Sequence, residues 1–163
     1  MKDIVDKISS YNLFNYLFPG VIYVGILNKA TSIDLILENN FIGGFFYYFI
    51  GFVISRMGSL IIEPILKKWK IVKFSDYSDF VDASKEDDKI NLFSEVNNTY
   101  RTLISLSLLL GLSVLYDKFI VPLYLASIWI NSAISISLIV LFTFSYRKQT
   151  GFINKRIEKH KSK

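Results

Sequence analysis

Residues 41–66 read FIGGFFYYFIGFVISRMGSLIIEPIL, an apolar run whose only charges are Arg56 and Glu63. A helix of roughly 20 apolar residues covers the ~30 Å hydrocarbon core of a bilayer, and this run exceeds that length. Helices of soluble domains keep a polar face for water, so the run restricts the chain to folds in which a helix is apolar nearly all round. Three more segments have similar character. Leu13 to Leu27 is short and interrupted by Pro19-Gly20. Thr102 to Tyr116 is short unless its helix extends back through Asn97-Asn98. The last lies within Phe119 to Tyr146, and Asp117-Lys118 is the only break before it, which implies a tight helical hairpin. With 52% apolar residues, 14 Phe and 10 Tyr among 163 residues, the chain reads as an all-α integral membrane protein of about four transmembrane helices. The spans are expected at about 13–30, 41–66, 99–116 and 119–146, within a single membrane domain over 1–163.

Charge sets the orientation. Of nineteen Lys and Arg, seven fall in 67–101, seven in the tail from Arg147 and two in the N-terminal arm. The other two connections carry one each, Lys29 and Lys118. The positive-inside rule then places both termini, the segment 67–98 and the basic tail 147–163 in the cytoplasm of a multi-pass inner (plasma) membrane protein. Asp3, Asp6 and Lys7 lie among Ile4, Val5, Ile8 and Tyr11, which predicts an N-terminal interfacial helix over residues 1–17. The same stretch has acids and no short apolar core, so a cleaved signal peptide is not expected. Pro19 starts or kinks the first span.

Several polar groups sit within the apolar runs. Arg56 and Glu63 are seven residues apart, about 10.5 Å along an ideal helix and on nearly the same side. A lipid-facing arginine at the bilayer centre costs at least ~2.5 kcal/mol. Three arrangements are compatible with this: the span ends near Ser55 and 56–66 is interfacial, Arg56 pairs with a carboxylate of a neighbouring subunit, or both charges line a water-filled path. Gly44, Gly51 and Gly58 recur every seven residues and notch one helix edge for close packing. Ser127, Asn131 and Ser135 form a polar stripe on the fourth span that either bonds back to its own helix or faces another helix or water. Four short helices offer little interior for these groups, which points to a homo-oligomer.

The cytoplasmic parts are basic with interleaved aromatics. KKWKIVK holds Lys67, Lys68, Lys70 and Lys73 beside the membrane, where they attract anionic headgroups or bind phosphates. FSDYSDFVDASKEDD has the spacing of a short amphipathic helix with one acidic, solvated edge. SEVNNTYR puts Asn97 and Arg101 on one helix face, suited either to capping or to holding a subunit or ligand. The tail adds Arg147, Lys148, Lys155 and Arg156. There is no cysteine and one histidine, His160, so no transition-metal site, thiol chemistry or cofactor is expected. No Ser/His/Asp constellation and no glycine-rich phosphate loop is present, and the sequence does not read as an enzyme.

LFPG, ISRMGSLIIEP, the YSDF element and EVNNTYR together give the chain a resemblance to small multi-span transmembrane effectors of bacterial anti-phage defence. It resembles the Hailong transmembrane effector and, less closely, the Kiwa membrane subunit. The resemblance covers most of the chain and carries no residue-level ligand motif. It implies an oligomeric, tetrameric inner-membrane ion channel gated by a cytoplasmic nucleotide or single-stranded DNA oligomer, which a partner nucleotidyltransferase would make. Opening would depolarise the membrane and abort infection. On that reading Lys67, Lys68, Lys70, Lys73, Arg101, Arg147, Lys148, Lys155 and Arg156 contact the oligonucleotide. Arg56, Glu63, Ser127, Asn131 and Ser135 lie at the pore or between subunits. The alternative is a non-conducting membrane anchor or scaffold that recruits a cytosolic partner through 67–101.

Overall fold

The computed structural model describes residues 12–119 and 127–161, which are helical apart from short connections and contain no strand. Most of the expected interfacial helix falls on residues 1–11, outside the described residues. A π-helical turn, Leu13–Leu17, runs directly into α1, Phe18–Ala30. After a loop, α2 covers Asn40–Met57, and the Asn39 side chain caps it by accepting from the Phe41 and Ile42 N–H groups. A second π-helical turn, Gly58–Ile62, carries α2 without a break into α3, Glu63–Lys68. Then come α4, Tyr77–Glu86, α5, Lys89–Phe119, and α6, Ser127–Lys161. The expected span 99–116 thus lies inside a helix that begins at Lys89, and 119–146 straddles residues 120–126, which are not described, and α6.

Both π turns have one physical cause. Proline lacks an N–H and its ring collides with the carbonyl four residues back. Those carbonyls belong to Asn15, four before Pro19, and Leu60, four before Pro64, and each lies inside a π turn. Widening the turn relieves the clash without breaking the helix. It also takes up an extra residue, so the helix beyond the turn is rotated by roughly 100° relative to an ideal one.

Three side-chain bridges set the directions of the helices. Asn15 Nδ2 donates to Ser55 Oγ (3.1 Å) and Thr102 Oγ1 donates to Asn15 Oδ1 (2.7 Å), joining the start of α1, the end of α2 and the middle of α5. Tyr23 and Ser113 share a 2.8 Å hydrogen bond farther along, and Ser32 donates to Asp117 at the other end. So α1 and α5 run parallel and α2 antiparallel to both. On α6, Phe142 stacks on Phe52 (5.7 Å) and Lys148 reaches Ser59, so it runs parallel to α2. Consecutive long helices alternate up and down.

Among the described residues the interior is small and polar: Val24, Leu27, Ile54, Val81 and Leu106 are its buried apolar side chains, and beside them Asn15, Ser55, Ser59, Glu63, Thr102 and Ser105 are buried too. The large apolar residues instead face outward, among them Phe41, Phe45, Phe49, Leu108 and Leu112. Among the described residues two helices, Asn40–Lys68 and Lys89–Phe119, are long and apolar enough to cross a membrane. Only 33% and 17% of their most apolar 18-residue stretches are buried. The core helix of a water-soluble domain would bury its apolar face.

The glycines divide by use. A Cβ on Gly51 would land on the Tyr16 carbonyl, and one on Gly20 on the Tyr47 carbonyl, so α2 crosses the first helix backbone to backbone. A Cβ on Gly58 would sit 3.2 Å from the Arg101 carbonyl of α5, whereas at Gly44 it would meet nothing within 4 Å. The seven-residue repeat therefore serves two different neighbours, at two of its three positions.

At the end of α3 the Ile71 N–H bonds the Leu66 carbonyl and the Lys70 N–H bonds the Lys67 carbonyl, both at 3.0 Å. This is a Schellman closure. Its left-handed position is filled by Lys70, φ +59°, where glycine is usual. Lys70→Gly removes the steric penalty of a Cβ there and is expected to raise stability by up to about 1 kcal/mol. Thermal unfolding followed by circular dichroism would register this as a higher midpoint.

Candidate functional site

Glu63 is the organising residue. It lies just past the second π turn, which swings it away from Arg56 and toward α5 and α6. Its carboxylate meets Arg101 of α5 through Oε2 and Nη1, Lys67 one turn on at 2.9 Å, and Lys148 of α6 at 3.4 Å. Lys148 also donates to the Ser59 carbonyl (2.8 Å) and Ser59 Oγ (2.9 Å). Burial pushes the Lys148 ammonium below the usual lysine range, and the Glu63 carboxylate works against that push. One acid thus ties together three elements at the lysine-rich end of the bundle.

Above this cluster opens a cavity of ≈ 910 Å³. Its cationic lining is Arg56, Lys67, Lys73, Arg101, Lys148 and Lys155, against Glu63 and Asp76. Phe74, Tyr77, Phe80 and Phe152 add aromatic walls. The stretch 72–76 and α4 close one side of it, with Val81 of α4 buried and Tyr77 against Phe152 at 5.2 Å. Lys67 lies over the Phe74 ring at 4.2 Å. Clustered cations beside aromatic side chains suit a ligand that is anionic at one part and planar at another. Among the described residues no group of His, Asp and Glu could hold a metal ion.

Of the residues predicted to contact the ligand, Lys67, Lys73, Arg101, Lys148 and Lys155 line the cavity. Lys68, Lys70 and Arg147 are exposed and lie off its walls, and the Arg156 side chain is outside the described residues. Beyond Ser55 the chain stays helical through Arg56 and the second π turn to Lys68. Arg56 makes no ion pair among the described residues; its guanidinium lies 5.3 Å from the Phe52 ring centre and its Nε is buried without a hydrogen-bond partner. Glu63 is engaged within the chain by Lys67, Arg101 and Lys148. Ser135 is exposed on α6, and the side chains of Ser127 and Asn131 are outside the described residues.

Two features carried too little signal to be read from sequence. The buried Asn15–Ser55–Thr102 cluster joins residues up to 87 positions apart. Its one local sign is an asparagine in LFNYLFPG, four before a proline. The aromatic walls come from two stretches, around 74–80 and at Phe152, that only the fold brings together. No family model, curated protein or solved structure matches the chain.

Proposed function

We propose that this chain is a four-span inner-membrane protein, with both termini cytoplasmic, that assembles as a homo-oligomer and conducts ions. A phosphate-bearing ligand, a nucleotide or single-stranded DNA oligomer, gates it from the cytoplasmic cavity, in the manner of a defence effector. The observation that carries the reading is the cavity itself. Six cations from three separate stretches converge there beside four aromatic rings. The alternation of the long helices supports four crossings, since it gathers the lysine-rich connections at one end. The outward-facing apolar side chains support a bilayer as solvent. Buried polar side chains inside a bundle of such small core support further copies of the chain around a shared axis. A gating ligand must bind the closed and open arrangements unequally. A cavity walled by α2, α3, α4, α5 and α6 would sense any movement among them.

The test is reconstitution. The purified protein in liposomes should pass ions, and a single-stranded oligonucleotide should change the flux. Lys73→Glu with Lys155→Glu, two exposed sites at the cavity walls, should weaken oligonucleotide retention by about tenfold or more at 0.15 M salt and flatten its salt dependence. Silence in flux assays with intact oligomers, and salt-insensitive retention unaffected by the reversals, would instead identify a scaffold.

A further inference from the structure

We propose that the inner end of the cavity is a site for the terminal phosphate of a phosphomonoester, bound as the dianion, with Arg56 and Arg101 as its guanidinium donors. The inference rests on reading the cavity as a ligand site and adds the chemical group that the site recognises. Both arginines line the cavity, and Arg56 makes no hydrogen bond or ion pair among the described residues. Part-buried donors in folded proteins are seldom left without an acceptor, so an unpaired guanidinium on the wall of a cation-rich cavity points to an anion that binds there. A guanidinium presents its N–H groups in a planar fork that matches two oxygens of a phosphate.

The two arginines play different parts. Arg101 already gives Nη1 to Glu63. Among the described residues Arg56 has the Phe52 ring and no carboxylate, so an incoming oxyanion meets no competitor from them there. Charge then selects among phosphates. Lys67, Arg101 and Lys148 gather around the carboxylate of Glu63, and Arg56, Lys73 and Lys155 add three more cations to walls whose one other acid is Asp76. A diester, with one negative charge and two free oxygens, leaves most of that surplus unmatched. A monoester dianion, with three terminal oxygens and nearly twice the charge, offsets more of it and engages more donors. Ser59 and Asn98 on the same walls supply neutral polar groups. Glu63 acts as the resident anion with which the phosphate competes for Arg101 and Lys148.

The group could belong to a soluble phosphomonoester or to a phosphatidic acid headgroup, and the experiment separates these. The full chain is placed in phosphatidylcholine nanodiscs at pH 8 and titrated with methyl phosphate or dimethyl phosphate, with binding read by ³¹P NMR. Methyl phosphate should bind at least about tenfold more tightly than dimethyl phosphate. Arg56→Gln should cut methyl phosphate affinity about tenfold with an unchanged circular dichroism spectrum, and Arg56→Lys should recover part of the loss. Equal affinity for the two phosphates, or full affinity in Arg56→Gln, overturns the proposal. Should Arg56→Gln not fold, the monoester-to-diester ratio of the natural chain decides alone. Displacement of methyl phosphate by phosphatidic acid but not phosphatidylglycerol in the disc assigns the group to a lipid. Displacement by neither assigns it to a soluble ligand. Flux and oligonucleotide retention can fail while monoester selectivity persists, and the reverse, so this site and the gating function stand or fall separately.

Discussion

Glu63→Ala should destabilise the folded chain by on the order of 3 kcal/mol while tightening methyl phosphate binding. Its side chain is 11% exposed, and those of Arg101 and Lys148 are 15% and 26% exposed. Removing the carboxylate leaves two largely buried cations facing each other with no anion between them. Breaking a buried pair from one side costs about 3–5 kcal/mol, and we take the lower end because the third partner, Lys67, is 45% exposed and can turn to water. Lys67→Ala is the control, since an exposed pair one turn apart contributes only about 0.3–0.5 kcal/mol. Glu63→Gln keeps the shape and loses the charge, and falls between the two. Thermal unfolding in detergent, followed by circular dichroism, ranks the three. The affinity gain separates this role from simple packing, because the same substitution that loosens the fold removes the anion with which phosphate competes. A Glu63→Ala midpoint as high as that of Lys67→Ala would remove Glu63 from the centre of the site.

This cluster also marks where the sequence stops being informative. An all-helical chain was legible, because runs such as FIGGFFYYFIGFVI admit little else, and so was the basic character of one end, because lysine positions need no fold to count. Five of the predicted ligand cations do line the cavity, for the reason that KKWKIVK, Arg101 and the tail are each tethered to that end of a helix. The partner of Glu63 was not legible. Arg56, seven residues away on an ideal helix, looks like its neighbour, and the π turn before Pro64 carries Glu63 round to Arg101, 38 residues distant. Proline is visible in sequence, but whether a helix answers it by kinking, ending or widening depends on what packs against it. Hydrophobic periodicity was equally silent about which faces meet, since an outward face suited to lipid is as apolar as an inward one. That is why neither the Asn15–Ser55–Thr102 cluster nor the aromatic walls could be anticipated from residue spacing.

The glycine repeat makes the sharpest use of this difference between pattern and packing. Gly51→Val is expected to cost at least about 3 kcal/mol and to leave little folded protein, whereas Gly44→Val should change the unfolding midpoint only slightly. The two positions are indistinguishable in sequence, one heptad apart on one helix edge. In the fold, a Cβ at Gly51 runs into the Tyr16 carbonyl and lies 2.9 Å from the Gly20 nitrogen, and at Gly44 it enters open space. Overpacking in a core usually costs about 1–3 kcal/mol because side chains can change rotamer. At Gly51 the obstacle is main chain, which has no rotamer to change, so α1 and α2 must separate. Separation would also pull Asn15 from Ser55, leaving buried polar groups unsatisfied at a further cost of about 1–3 kcal/mol. Limited proteolysis of the two variants in detergent tests this, with Gly51→Val cut within α1 and α2 and Gly44→Val protected like the natural chain. Equal protection of both would mean that the crossing of these helices is looser than their glycines imply.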